Sequence, residues 1–206
     1  MSYLIEELIG RVLLESADIP DLVAHNALVD TAREFCRDAL AWRETYTLAV
    51  DPNALLVWLP LPTDASIRAV TACRWNDTVL TPTSEEQVHR APSRPVTGTP
   101  EVYVQASGQE LKLLPRPASG TLIVRAVLQP TLSAQELPDR LVDDWSEALI
   151  NGAKARLLMV RDKPWSNARL AAPLYQAFLA DKARAKSMAA EGHQVGVPRT
   201  VRYGGY

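Results

Sequence analysis

Two stretches near the start of the chain place apolar residues at helical spacing. Over residues 3–16 one face is apolar and the other is charged, which is typical of a surface helix that covers a core. Asp18–Asp21 breaks this pattern and supplies a capping residue for a second helix from about 22 to 43. The apolar positions are Leu4, Ile5, Leu8, Val12 and Leu13, then Leu28, Ala32, Phe35, Ala39 and Trp42.

After Glu44 the pattern changes to short runs in which apolar and polar residues alternate, as in strands. Trp75–Val79 has the composition of a hairpin turn, and the proline-rich residues 81–100 predict a long loop. Short strands joined by short turns indicate a small antiparallel sandwich or barrel. The predicted strands are Tyr46–Val50, Leu55–Leu59, Ile67–Trp75, Val102–Val104, Leu111–Leu113 and Leu122–Leu128.

Helical spacing returns at Pro138 and continues in two further helices. The third helix carries small residues at Gly152, Ala153 and Ala155, which predict close approach of a partner helix. Packing there must offset the cost of glycine in a helix, which is about 1 kcal/mol. The fourth helix, from about 167 to 190, contains Pro173, and we expect a bend near its start.

These elements predict an α+β fold with four long helices in an antiparallel bundle. Residues 1–44 and 131–190 would form the bundle, and residues 45–130 an inserted antiparallel β domain. Residues 191–206 would follow as an extended C-terminal arm.

Composition restricts the class of function. The 206 residues carry 22 basic and 24 acidic side chains, and a net charge of −2 argues against a general nucleic-acid coat. The sequence shows no signal-peptide pattern and no apolar stretch near the ~20 residues that span a bilayer. We therefore expect synthesis in a cytoplasm, with Cys36 and Cys73 as buried, reduced thiols.

The sequence offers little material for catalysis or cofactor binding. The histidines His25, His89 and His193 lack metal-ligand spacing, and no phosphate-binding loop or nucleophile elbow occurs. Asp38 and Arg43 are interpreted as a solvated face. We expect no enzyme, no metal and no cofactor. One acidic cluster lies near the start of the third helix, where the helix dipole alone favours acids; its members are Asp143, Asp144 and Glu147.

The C-terminal arm combines glycines that oppose a helix with basic and aromatic residues. No acidic residue follows Glu191, and the arm is too apolar for a simple solvated end. It is interpreted either as a frayed terminus or, as we prefer, as an arm that orders on a partner protein, with strand addition through residues 200–203. The predicted anchors are Arg199, Val201, Arg202, Tyr203 and Tyr206.

Several segments together resemble the head-to-tail adaptor proteins of tailed bacteriophages, including the tail-tubular-A type. The resemblance covers nearly the whole chain, although each motif is loose and none is catalytic. The segments that carry it are Ala32–Cys36, Gly98–Tyr103, Leu111–Pro117, Leu137–Leu141, Gly152–Leu157 and Lys163–Asn167, followed by Tyr175 and Phe178.

The resemblance implies a structural virion protein of the neck that is made in the host cytoplasm. It implies a ring, a dodecamer, between the portal protein and the tail tube or nozzle, with a channel through which DNA passes without sequence-specific binding. It also implies that the arm reaches the portal and that no membrane is involved. In such a ring, Asp143, Asp144 and Glu147 are candidates for the channel wall.

Three alternatives remain open. A neck or tail-completion protein would contact the tail tube instead of the portal. A carbohydrate-binding module would expose Trp58, Trp75 or Tyr103 on one face of a sheet. A hydrolase ranks third, because the sequence lacks a catalytic signature.

Overall fold

A computed structural model describes residues 2–13, 18–52, 54–90 and 97–190, and it has the predicted α+β class. The helices are Ile5–Leu13 (α1), Asp21–Ala39 (α2), Glu85–Arg90 (α3), Asp139–Leu158 (α4) and Ala168–Ala190 (α5). The strands are Ser2–Leu4 (β1), Arg43–Val50 (β2), Val57–Trp58 (β3), Ala65–Trp75 (β4), Thr78–Val79 (β5), Thr81–Pro82 (β6), Val102–Ser107 (β7), Glu110–Leu114 (β8), Gly120–Pro130 (β9) and Glu136–Pro138 (β10).

Among the described residues the bundle has three long helices and one short one, so the prediction of four long helices is not confirmed. Helices α2, α4 and α5 have 19, 20 and 23 residues, whereas α1 has 9. The ends of α2 and α5 lie together, because Arg43 Nη1 donates to the Ala189 carbonyl at 2.7 Å. Asn167 N donates to the Leu158 carbonyl at 2.9 Å across the α4–α5 turn, so α4 runs opposite to α5.

The first helix is shorter than predicted because its expected first residues form a strand instead. Strand β1 pairs antiparallel with β10, which directly precedes α4, and Tyr3 lies opposite Leu137. Ile5 N then donates to the Gln135 carbonyl at 2.9 Å as α1 begins. This two-stranded ribbon joins the start of the chain to the start of α4. The predicted end of the helix, at 14–16, lies outside the described residues.

Helix α2 ends at Ala39, four residues before the predicted limit. Leu40 has φ 53°, a left-handed conformation that terminates a helix but is unfavourable for a residue with a side chain. Arg43 Nε donates to the Leu40 carbonyl at 3.0 Å and satisfies one group at this end. The chain can therefore turn directly from α2 into β2.

The predicted close approach at Gly152 is confirmed. A Cβ atom added there would lie 2.5 Å from Cγ2 of Thr31 on α2 and 2.8 Å from Cδ2 of Phe178 on α5. Both neighbours are buried, and Phe178 also stacks at a tilt on Phe35, with ring centroids 6.1 Å apart. Only glycine fits where the three long helices meet.

Helices α4 and α5 each contain one irregular position. Trp145 has φ −135° and ψ 17°, so α4 is kinked one and a half turns after it begins. Pro173 lies inside α5, which continues through it from Ala168 to Ala190.

The β region consists of two four-stranded sheets, ordered β2-β9-β4-β5 and β3-β8-β7-β6, which agrees with the predicted sandwich. Side chains from both sheets form one apolar cluster, including Leu59, Cys73, Trp75, Tyr103, Leu111 and Leu122. The predicted hairpin joins β4 to β5, with Asn76 at φ 49°.

Strand β9 connects the sandwich to the bundle. Its even-numbered side chains from Leu122 to Leu128 are all buried. Leu122 and Val124 contact the sandwich cluster, while Ala126 and Leu128 belong to the bundle cluster. The division of the chain into a bundle and an inserted domain stays a prediction, because the two cores share this strand.

The predicted loop at 81–100 contains a short strand and a helix, so that prediction was wrong in part. Ser84 Oγ accepts from Gln87 N, and Gln87 Oε1 accepts from Ser84 N, both at 3.2 Å. This reciprocal pair is a capping box, which fixes the start of α3. Residues 91–96 of the predicted loop lie outside the described residues.

Candidate functional site

The acidic cluster on α4 is open to solvent. Asp143, Asp144 and Glu147 are all exposed, and the kink at Trp145 separates the two aspartates from the glutamate. Asp144 lines a cavity of about 110 Å³ together with Arg140. Among the described residues, none buries these carboxylates, so they can face a channel or a partner. Their position on a channel wall stays a prediction.

A side chain of β2 holds the end of helix α5 in place. Arg43, the first residue of β2, donates to the carbonyl groups of Leu40 and Ala189, so it holds the ends of α2 and α5 together. The interpretation of Arg43 as part of a solvated face was therefore wrong. The predicted portal anchors lie outside the described residues, and their role stays a prediction; they are Arg199, Val201, Arg202, Tyr203 and Tyr206.

A charge network joins the three long helices. Glu34 on α2 binds Arg156 of α4 and Lys182 of α5, and the Lys182 Nζ to Glu34 Oε1 distance is 2.6 Å. Lys182 also binds Asp38 at 3.0 Å, and Arg37 binds Asp38 at 2.8 Å. Asp38 is therefore an ion-pair partner, which the interpretation of a solvated face missed.

The pKa values in this network follow from its contacts. Burial alone would lower the pKa of Lys182, but hydrogen bonds to Glu34 and Asp38 outweigh burial and raise it. A hydrogen bond from Arg37 lowers the pKa of Asp38; burial opposes this effect and Lys182 adds to it. Lys182 and Asp38 are therefore both charged at neutral pH, and their ion pair links α5 to α2.

Two groups of exposed apolar side chains lie in different parts of the molecule. The sandwich patch comprises Leu55, Leu56 and Trp58, beside and within β3, and Trp58 is 57% exposed. The helix-turn patch comprises Met159, Val160 and Leu170, at the turn between α4 and α5. Leu170 also lines a cavity of about 210 Å³. Apolar side chains grouped in this way are typical of protein interaction surfaces.

A cleft of about 470 Å³ lies where the bundle meets the sandwich, and we call it the junction cleft. Trp42 and Tyr46 contribute aromatic surface, and the loop before β4 contributes Pro60 and Pro62. Burial raises the pKa of Tyr46 to about 12, and nearby Glu44 adds to this. Among the described residues that line the cleft, three are acidic and none is basic; the acids are Glu44, Asp64 and Glu136.

The aromatic residues proposed for sugar binding do not form one platform. Trp58 is exposed, but Trp75 and Tyr103 are 4% and 5% exposed and lie in the core between the sheets. A sugar ring needs an accessible aromatic face, so Trp75 and Tyr103 are unsuited to stacking on one. That part of the carbohydrate-binding interpretation was wrong.

The described residues hold little for nucleophilic or metal chemistry. Cys36 and Cys73 are free thiols in the two cores, as predicted, and burial raises the pKa of each to about 12. Within the described ranges, no three histidine, cysteine or acidic residues are grouped to hold a metal. No helix described here is long and apolar enough to cross a membrane.

Sequence reasoning missed Arg43 and Asp64. Asp64 Oδ2 accepts from Gln135 N at 2.7 Å and Glu136 N at 3.0 Å, so it fixes the start of β10. Both residues bind partners distant in sequence, and no local pattern could identify those partners.

Comparison with known proteins bears on the whole chain. A family model described as SU10 adaptor protein matches residues 3–202. The chain belongs to the SU10 adaptor protein family. Membership confirms the predicted resemblance to head-to-tail adaptor proteins of tailed phages. An SU10 adaptor protein is a structural virion protein of a bacteriophage, and its family is not an enzyme class.

One solved structure adds a weaker likeness to this SU10 adaptor protein. A chain of the "Neck of empty GTA particle computed with C6 symmetry" is 16% identical, and the match covers 82% of this chain and 87% of that one. The TM-score is 0.27, which is too low to show a shared fold. No curated protein matches the sequence.

Proposed function

We propose that this SU10 adaptor protein forms a ring, a dodecamer, between the portal protein and the tail tube or nozzle. The genome passes through the channel of the ring without sequence-specific binding. The observation that carries the proposal is the family match over residues 3–202. The match includes residues 191–202, which supports a functional role for the arm.

The two apolar patches support a ring. A cyclic oligomer uses heterologous contacts, in which one surface of a subunit binds a different surface of its neighbour. The sandwich patch and the helix-turn patch are two such unlike surfaces. The interlocked bundle supplies a rigid platform, so that the angle between neighbouring subunits stays constant and the ring can close.

The arm supplies attachment to the portal. Arg43 fixes the root of the arm at Ala189, and Arg199, Arg202 and Tyr203 follow as anchors. Arginine and tyrosine are enriched among the residues that dominate binding energy at interfaces. An arm that orders on binding gives weak attachment by itself. A ring presents many arms at once, and the high effective concentration makes the attachment durable.

The exposed acids suit the wall of a DNA channel. Asp143, Asp144 and Glu147 repel phosphates at close range, and salt limits this effect to about 8–10 Å. DNA would then slide past the wall and would not adhere to it.

Mixing the adaptor with purified portal protein tests this proposal. Full-length protein and a chain truncated after Ala190 are each mixed with portal and imaged by electron microscopy. We expect rings on the portal with the full chain and loss of docking with the truncated one. A double variant, Arg199→Ala with Arg202→Ala, should weaken docking to portal. The control variant Lys186→Ala, at an exposed position of α5, should dock like the unaltered protein.

Two results would contradict the proposal. If the truncated chain docks on portal as well as the full chain does, the arm does not attach the adaptor to the portal. Binding to the tail tube with no binding to portal would favour a tail-completion protein instead.

A further inference from the structure

A cavity of about 210 Å³ lies beside the helix-turn patch, and we call it the turn cavity. Among the described residues that line it, seven are apolar and one, Lys154, is charged. Val12, Ile19 and Leu157 are buried and form its floor. Leu170 is exposed and lies at its mouth, so the cavity opens at the surface of the bundle.

The turn cavity is large enough for an aromatic side chain. An apolar cavity of roughly 150 Å³ in another protein stays dry and binds benzene. At about 210 Å³ the turn cavity has room for the larger ring system of tryptophan. Water inside an apolar lining finds few hydrogen-bond partners, so an apolar group that displaces it gains affinity.

Trp58 presents an aromatic ring of this size to solvent. Among the described residues it is the only exposed aromatic one, and exposed Leu55 and Leu56 lie beside it in the sandwich patch. Val57 and Leu59, on either side of it, are buried in the sandwich core. The alternation of strand β3 therefore directs the Trp58 ring outward. Tryptophan is enriched among the residues that dominate binding energy at interfaces.

Trp58 does not fill the turn cavity of its own subunit. Ala189, near the end of α5, lies at Arg43, where the first strand of the sandwich begins. Leu170 precedes Ala189 by about five turns of α5, which corresponds to roughly 28 Å along the helix. The cavity is therefore at the end of α5 away from the start of β2, and Trp58 itself remains exposed.

We propose that Trp58 of one copy inserts into the turn cavity of a second copy, so that the sandwich patch of each subunit covers the helix-turn patch of its neighbour. The inference rests on the ring of the proposed function and identifies the contact between its subunits. Because the two surfaces differ, the contact is heterologous, and each subunit binds one neighbour on each side. Repeated contacts of this kind form a ring when the rotation between subunits closes.

Charge complementarity supports a second copy as the occupant. Three basic side chains and one acidic one are exposed in and beside the turn between α4 and α5; they are Arg161, Lys163, Arg169 and Asp162. Two acidic side chains and one basic one flank the sandwich patch; they are Asp51, Glu110 and Lys112. Within the described ranges, the three basic side chains at the turn form no ion pair. The opposite net charges favour contact between unlike patches over contact between like ones.

Chemical cross-linking tests this contact without altering Trp58 or the cavity. One copy carries Leu55→Cys in the sandwich patch and the other carries Met159→Cys in the helix-turn patch, and both positions are exposed. The native thiols are buried, so a short bismaleimide reagent reacts with the introduced ones. We expect cross-linked pairs when the two variants are mixed, in concentrated free protein and on portal, and none with either variant alone.

Two matched changes show whether the cross-link depends on the proposed insertion. Trp58→Ala in the Leu55→Cys copy should lower the yield about tenfold or more. The exposed position allows this change without unfolding of the sandwich. Val79→Cys, exposed on strand β5 of the other sheet, should not link to Met159→Cys. An equal yield with Trp58→Ala, or links between two Leu55→Cys copies, would overturn the inference.

The inference and the proposed function can fail separately. Rings on portal, seen by electron microscopy, in which the two introduced thiols do not cross-link would overturn this contact and leave the proposed function standing. Cross-linked pairs in the free protein without rings on portal would support the contact and contradict the proposed function. The absence of both would contradict both.

Discussion

The helical bundle and the β sandwich close their interiors in different ways. Each helix satisfies its own backbone, and its side chains lock to neighbours through Gly152, Phe178 and the Glu34 network. The sandwich also buries an apolar core, but its sheets end in edge strands whose outer sides pair with no strand among the described residues. The bundle is therefore held by interlocked side chains, whereas the sandwich can pair its backbone with a further strand.

The largest expected effect is a loss of stability when a buried aromatic residue of the bundle is truncated, compared with an exposed one on the sandwich. Phe178 is 1% exposed and touches the rings of Phe35 and Tyr175, so Phe178→Ala should lower the free energy of unfolding by about 3–5 kcal/mol. Trp58→Ala, at a site that is 57% exposed, should change it by less than about 0.5 kcal/mol. Urea denaturation measures both. A large loss for Trp58→Ala would show that the sandwich patch is structural and not a free surface.

A smaller effect tests whether close helix packing is specific to the bundle centre. Gly152→Ala should destabilise the protein by about 1–3 kcal/mol, because Thr31 and Phe178 are packed too tightly to move. Gly10→Ala in α1 is the matched control, since nothing lies within 4 Å of the added Cβ. It should stabilise by about 0.5–1 kcal/mol through helix propensity. If the two substitutions changed the free energy of unfolding in the same direction, the tight packing around Gly152 would be contradicted.

Local patterns in the sequence predicted the elements that rest on local physics. The stripe of α2, the small residues of α4 and the hairpin at Asn76 depend on residues near one another in the chain. Ser84 and Gln87 carried a capping-box signal that could have predicted α3.

Pairings between distant residues could not be predicted in this way. Strands β1 and β10 have three residues each, which is too short for alternation to register. Arg43 and Ala189 are 146 positions apart, and only the folded chain shows that the end of α5 lies beside the start of β2. The candidate partner surfaces were therefore predicted less completely than the core.

The smallest effect concerns the charge network that joins α2 to α5. Lys182→Met should lower the free energy of unfolding by about 1 kcal/mol at neutral pH, because the site is partly screened by solvent. Lys186→Met, at an exposed position one turn further on, should change it by less than about 0.5 kcal/mol. Thermal unfolding of the two variants beside the unaltered protein measures the difference.

The pH dependence of the Lys182→Met effect follows from Asp38. The pKa of Asp38 lies below its ordinary value of 3.8 in the folded chain, so the folded state holds its charge more readily than the unfolded state. The stabilisation that charged Asp38 contributes to the folded state is fully present above pH 3.8, and it is lost as the pH falls through the lowered pKa. The difference in the free energy of unfolding between Lys182→Met and the unaltered protein should therefore become smaller below about pH 4. A difference that stays constant down to the pH of acid unfolding would mean that Lys182 stabilises the bundle through its cation–π contact with Phe178, where Nζ lies 5.3 Å from the ring centroid, and not through the carboxylates.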